Sequence, residues 1–173
     1  MSKALQALYQ GDEQKARELL GPDEELTVFE ASAFGRTERL GRILDENPSQ
    51  ASAFSDDGFT ALHLAIFGGQ EAAMRLLLER GADPDVVSTS DIAKVPPLGT
   101  AAFVRSVALA QVLLDSGADP NGRGEGGFTA LHTAAQNEDE ELARLLLERG
   151  ADPSLAADDG RRPADFGLAG LIS

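Results

Sequence analysis

Two histidines, His63 and His132, and four consecutive acids, Glu138, Asp139, Glu140 and Glu141, are the side chains here whose types could ligate a metal or move a proton. Gly122, Gly124 and Gly127 add a third candidate, because they spell the G-x-G-x-x-G that cradles a pyrophosphate when it joins a strand to a helix. None of the three keeps its chemistry in context. The histidines occupy the same slot of two similar segments, and zinc needs three or four ligands converging on one point. The acids open a helix, where the dipole favours negative charge, and their spacing matches no calcium loop. The glycines follow Gly-Ala-Asp-Pro-Asn rather than a parallel strand, so they serve a turn. The chain has no cysteine, which excludes a thiolate zinc site, a cysteine nucleophile and a disulfide framework, and agrees with a reducing compartment. G-x-S-x-G, H-E-x-x-H and a phosphate loop with its lysine are all absent. No cofactor and no catalysis are expected, and an enzyme reading survives only if the acidic cluster binds a metal.

The 173 residues suffice for one ordinary domain, and a hydrophobic content of 42% is too high for a disordered acidic tail. A formal net charge of −14 opposes approach to nucleic acid and favours a partner with basic or apolar groups. Met1 to Gln10 lack a basic start followed by an apolar core, and no apolar run reaches membrane-spanning length. A cytoplasmic protein without membrane contact is the expectation.

What positions the two histidines is an internal repeat. Thr60-Ala61-Leu62-His63 returns as Thr129-Ala130-Leu131-His132, and Gly-Ala-Asp-Pro begins at Gly81, Gly117 and Gly150, at steps of 36 and 33 residues. Before each of these glycines runs a leucine-rich helix end: Leu76 to Leu78, Val112 to Leu114, Leu145 to Leu147. The glycine suits the left-handed residue that ends a helix, and the proline three places on blocks its continuation. Thr60 and Thr129 are read as N-caps whose hydroxyls accept from a helix-start amide. Each copy is therefore a helix hairpin plus a loop.

On these motifs the chain resembles the ankyrin repeat proteins, whose unit of about 33 residues pairs a β-turn finger with two helices. The resemblance implies an all-α solenoid of stacked helix-turn-helix units with β-turn fingers, covering nearly the whole chain. Ala31 with Gly35, and Ala7 with Gly11, repeat the spacing of Ala65 and Gly69. The expected division is a cap at 1–22, repeats at 23–55, 56–88, 89–124 and 125–157, and a half-cap at 158–173 whose single helix begins near Pro163. The 89–124 repeat departs from pattern. Pro96-Pro97-Leu98-Gly99 replaces Thr-Ala-Leu-His, and its finger, Val86 to Val95, is three residues longer, as a binding loop or a neutral insertion would be. Arg105 and Glu138 stand where Gly11, Gly35 and Gly69 stand, so those turns should be less relaxed. The arginine and alanine bias, with only Lys3, Lys15 and Lys94 as lysines, points to a GC-rich bacterial genome.

The same resemblance assigns His63 and His132 to bonds that tie adjacent fingers, a structural role shared with Thr60, Thr129, Gly81, Gly117 and Gly150. It also places partner contacts on fingers and first helices, two and three residues beyond each first-helix alanine. The residues expected to bind a partner are Tyr9, Phe34, Phe67, Phe103, Val104, Gln136 and Asn137, with Asp56, Asp57 and Ile92 from the fingers. Phe67 and Phe103 are read equally as packing or binding, Phe59 and Phe128 as structural, and Phe29, Phe54 and Phe166 as packing. The expected function is a non-catalytic module binding a protein with apolar and basic anchors. The alternative is an inhibitor or immunity-type protein whose acidic surface blocks a basic enzyme. A monomer is expected, although Leu168, Leu171 and Ile172 would either lie uncovered or fold back on Phe166.

Overall fold

The structure of the chain, a computed structural model, describes residues 1–172. The expected half-cap runs to Ser173, which lies outside the described residues. Helices pair along the sequence as α1 (Lys3–Tyr9) with α2 (Glu13–Glu18), α3 (Val28–Ala33) with α4 (Thr37–Glu46), and α5 (Ala61–Phe67) with α6 (Glu71–Glu79). They continue as α7 (Pro97–Phe103) with α8 (Val107–Asp115), α9 (Ala130–Gln136) with α10 (Glu140–Glu148), and finally α11 (Ala169–Ile172). Among the described residues, the one β-type pairing is an isolated antiparallel bridge between Phe54 and Thr60. It lies at the base of the finger turn, where Ser55 N–H donates to the Phe59 carbonyl at 2.8 Å.

The chain divides into two compact units, Met1–Asp83 with Ser88–Asp91, and Pro84–Val87 with the chain from Ile92 onward. In the first unit α3 packs on α5 and α4 on α6; in the second α7 packs on α9 and α8 on α10. Like stacks on like, because each pair is apolar on the faces it turns to its neighbours. The first helices α5, α7 and α9 are buried nearly all round, with Ala65, Ala101 and Ala134 at zero exposure, so alanine is what lets adjacent backbones approach. A Cβ added at Gly68 would run into the Ala33 carbonyl, which shows how close that approach is. The second helices bury one stripe only: Leu40 and Leu44, Met74 and Leu77, Leu109 and Leu113, Leu142 and Leu146.

Helix ends repeat in hydrogen-bond detail. At Gly81, Gly117 and Gly150, with φ of 85°, 92° and 93°, the following alanine donates back to Leu77, Leu113 and Leu146 at 2.9, 3.0 and 2.9 Å. This is the Schellman closure expected of a left-handed C′ residue. The turn within each pair closes alike, on the first-helix alanine: Asp12 to Ala7, Arg36 to Ala31, Gln70 to Ala65, Ser106 to Ala101 and Asp139 to Ala134, all between 2.8 and 3.0 Å. Arg105 and Glu138 hold φ of 56° and 53° at this turn, where the other pairs use glycine.

The C-terminal unit differs from expectation. Pro163–Asp165 forms a single 3-10 turn rather than the start of a sustained helix, and after Leu168, at φ 56°, α11 follows as a second helix. The first helix is shortened to a turn, leaving enough chain to build part of the second. Ile172 is buried and α11 packs on α10, so the apolar end folds back. The long finger is partly built into the fold as well: Ser88 and Ser90 are 2% exposed, and Thr89 N–H donates to the Gly58 carbonyl at 2.9 Å.

Left-handed backbone costs a non-glycine residue roughly 1–2 kcal/mol, of which glycine returns part as chain entropy. Glu138→Gly should therefore raise stability by about 0.5–1 kcal/mol in urea unfolding. A lowered midpoint would mean that the Glu138 side chain contributes more than its backbone strain removes.

Candidate functional site

In the first unit, the C-terminal end of α1, the finger and the C-terminal end of α5 bring three aromatic rings together. Tyr9 meets Phe67 edge-on at 5.2 Å between centroids, and Phe59 at 6.2 Å. All three rings are half-buried. Beneath them the finger turn is held by Asp57, whose Oδ1 accepts from the Ser55 hydroxyl at 2.5 Å. Its Oδ2 is buried, as is the Tyr9 hydroxyl, and neither atom has a hydrogen-bond partner. They lie close enough to interact: burial, and then the Asp57 carboxylate, push the Tyr9 hydroxyl far above the usual phenol range. Asp56, next along the turn, is exposed, and its Oδ2 is 3.3 Å from the Met1 amine.

Some residues expected at a partner face belong elsewhere. Phe34 is 8% exposed and packs with Ala4, Leu5, Ala7 and Leu64, because at its position the chain turns into the core of the first unit. Asp57 faces inward as described. Asn137 is committed to the second unit: its Nδ2 donates to the Ala102 carbonyl at 3.2 Å, linking α9 to the end of α7. Val104 is half-buried at the α7 cap. Phe54, read as packing, is 42% exposed instead, since the bridge to Thr60 turns its side chain off the core. The residues that do stand in solvent are Asp56 in the first unit, and Ile92, Phe103 and Gln136 in the second. Phe103 is 67% exposed and Ile92 72% exposed.

His132 is fully buried and its ring is used on both sides. Nδ1 accepts from the Thr129 N–H at 3.2 Å, so it carries no proton and also takes the Thr129 hydroxyl at 2.9 Å. Nε2–H then donates to the Arg161 carbonyl of the following finger at 3.3 Å. Thr129 and His132 form a reciprocal capping box at the start of α9, the Thr129 side chain facing the His132 backbone amide and the imidazole facing the Thr129 N–H. In the first unit Thr60 accepts from the His63 N–H, at 3.5 Å, and its hydroxyl meets His63 Nδ1 at 2.8 Å. Phe128 and Phe166 pack on His132 at 5.2 and 5.8 Å, and Arg161 lies 4.2 Å over the Phe166 ring while its Nε donates to Asp159 at 2.8 Å. The sequence carried no sign of this arginine stack, nor of the Tyr9 to Asp57 contact, because both join residues from different elements. Among the described residues, no three His, Asp or Glu side chains converge to hold a metal ion. No described helix is long and apolar enough to cross a membrane.

Two outcomes follow. Phe34→Ala should cost about 3 kcal/mol in urea unfolding, as a buried ring leaves a cavity, and an unchanged midpoint would return Phe34 to the surface. Burial holds His132 below its ordinary pKa of 6.5, with Arg123 acting in the same direction and the Arg161 carbonyl and Asp159 against it. The unfolded chain then binds the proton first, so this contribution to stability is complete above pH 6.5 and is lost as pH falls from there through the folded value. An NMR titration of the two histidines should place the His132 midpoint below 6.5, and a midpoint above it would contradict the burial.

A family model described as "Ankyrin repeats (3 copies)" matches residues 87–157, and "Ankyrin repeat" matches residues 57–89. The B-cell lymphoma 3 protein homolog of Mus musculus is 42% identical over 79 residues, 46% of this chain and 17% of that protein. A putative ankyrin repeat-containing protein of Treponema pallidum is 36% identical over 110 residues, 58% of this chain and 36% of that one. The chain thus spans well under half the length of these two relatives. The crystal structure of the ankyrin repeat domain of Bcl-3, a member of the IkappaB protein family, matches with a TM-score of 0.77 at 27% identity, over 98% of this chain and 78% of that one. With helix pairs closed by left-handed turns and repeats matched on both sides of residue 88, the chain belongs to the ankyrin repeat family of protein-interaction modules.

Proposed function

We propose that the chain is a non-catalytic, monomeric, cytoplasmic module that takes up a protein segment carrying apolar and basic anchors, on the side formed by first helices and fingers. The observation that supports this best is Phe103. It closes α7, whose other six residues are all buried, yet it stands 67% exposed. Burying such a ring is worth about 1.5–3 kcal/mol, which the fold leaves unused and a partner would recover. Ile92 and Gln136 are exposed in the same unit, and aromatic anchors are where binding energy concentrates. The net charge of −14 supports a partner with lysine or arginine near its anchors.

Phe103→Ala separates binding from packing. Its unfolding midpoint should stay within about 0.5 kcal/mol of the parent, as surface substitutions do. Affinity capture from the native host, read by mass spectrometry, should lose the partner that the parent retains. A variant that melts early, or one that keeps the partner, would overturn the role given to Phe103.

A further inference from the structure

We propose that Asn121-Gly122 is a self-modification site, a point of deamidation that a ladder of loop hydrogen bonds keeps shut and that local opening of the loop releases. The chain has three asparagines, Asn47, Asn121 and Asn137, and they differ in the residue that follows. Deamidation begins when the backbone nitrogen of that following residue attacks the asparagine side-chain carbonyl. Pro48 has no N–H to give, and Glu138 brings a side chain into the path of attack. Gly122 offers an N–H with nothing in the way. Asn121 and Gly122 are both half-exposed, so water and base reach them.

Hydrogen bonds rather than burial restrain the site. Gly122 N–H donates to the Asp119 carbonyl at 3.1 Å, which holds the proton that must leave first. Asn121 N–H donates to Asp119 Oδ1 at 2.9 Å. The Asn121 side chain is tied to the next loop at both ends: Oδ1 accepts from the Asp152 N–H at 2.7 Å, and Nδ2 donates to the Gly150 carbonyl at 3.1 Å. One repeat earlier the same position holds Asp85, whose Oδ1 accepts from the Asp119 N–H at 2.8 Å. A carboxylate can make the first of these bonds but not the second, because it has no N–H. When the ladder opens, base takes the Gly122 N–H proton and the nitrogen bonds to the Asn121 side-chain carbonyl carbon. The bond from that carbon to the amide nitrogen breaks, and the nitrogen leaves with a proton as ammonia. Water then opens the five-membered imide, leaving aspartate or, with the backbone rerouted through the side chain, isoaspartate. Either product lacks the donor to Gly150 and sets a carboxylate against that carbonyl, so the ladder cannot reclose as before.

The full chain is incubated at mildly alkaline pH, folded and in urea, and each asparagine is followed by peptide mass spectrometry, which registers ammonia lost and water gained. In the folded chain Asn121 should deamidate about tenfold more slowly than in urea, or slower still, since several hydrogen bonds must part first. Asp119→Ala removes the Oδ1 acceptor and keeps the carbonyl. It should speed the folded-state reaction severalfold, beyond any rise in the globally unfolded population, and leave the rate in urea unchanged. Gly122→Ala, whose added Cβ would stand 3.3 Å from the Asp119 carbonyl oxygen, should suppress the reaction in urea. The deamidated chain, separated by ion exchange, should exchange its Asp152 amide hydrogen severalfold faster than the parent. Equal rates folded and in urea, modification centred on Asn137, a folded-state rate in Asp119→Ala that follows global unfolding alone, or unchanged Asp152 exchange would each overturn the site.

Discussion

One backbone hydrogen bond recurs through the chain and the rest of the structure depends on it. After each first helix, a residue in left-handed conformation turns the chain, and the next N–H returns to the carbonyl of a first-helix alanine, five times between residues 7 and 139. The bond satisfies a carbonyl that the helix end would otherwise orphan, and it sets the angle at which the second helix leaves. The acceptor is alanine because the same residue is packed at zero exposure in Ala65, Ala101 and Ala134. A larger side chain would separate the stacked helices. Turn and packing constrain the same position, which is why the spacing from alanine to the left-handed residue is so regular even where glycine gives way to Arg105 and Glu138.

Where one turn is strained, other contacts hold the neighbourhood. Around Glu138, Asn137 ties α9 to the Ala102 carbonyl, and Asp139 caps α10 by accepting from Leu142 N–H at 3.1 Å. The acidic run from Glu138 to Glu141 is absorbed into a turn and a helix start. The two histidines resolve in the same manner. His132 is an architectural part, with one ring nitrogen on its own Thr129 and the other on the next finger, and no lone pair is left for catalysis or a metal. The glycine triplet at 122, 124 and 127 likewise serves a finger turn, in which Gly127 N–H donates to the Gly124 carbonyl at 3.1 Å.

The hairpins, their order and the glycine stops were legible in the sequence because they are local: each is signalled by residues within a few positions of the bond they make. The candidate site was legible only in part. Counting two and three residues from each alanine named Tyr9 and Phe67, which are half-buried, and Phe103, which is exposed, together with Phe34 and Asn137, which the same count cannot tell apart from them. Their difference lies in what sits opposite. Phe34 meets the apolar face of the N-terminal pair, Asn137 meets the Ala102 carbonyl at the end of α7, and Phe103 stands exposed within its unit.

What the sequence determined by itself was the repeat and the family, since these follow from periodicity and residue type. Tertiary structure decided which members of the repeated set are free. It turned Asp57 inward to Tyr9 while leaving Asp56 in solvent, buried Phe34 while exposing Phe103, and folded Ile172 onto the last helix pair. The physical reason is that exposure is a property of neighbours from other elements, and a repeat places equivalent residues in equivalent slots without making their surroundings equal.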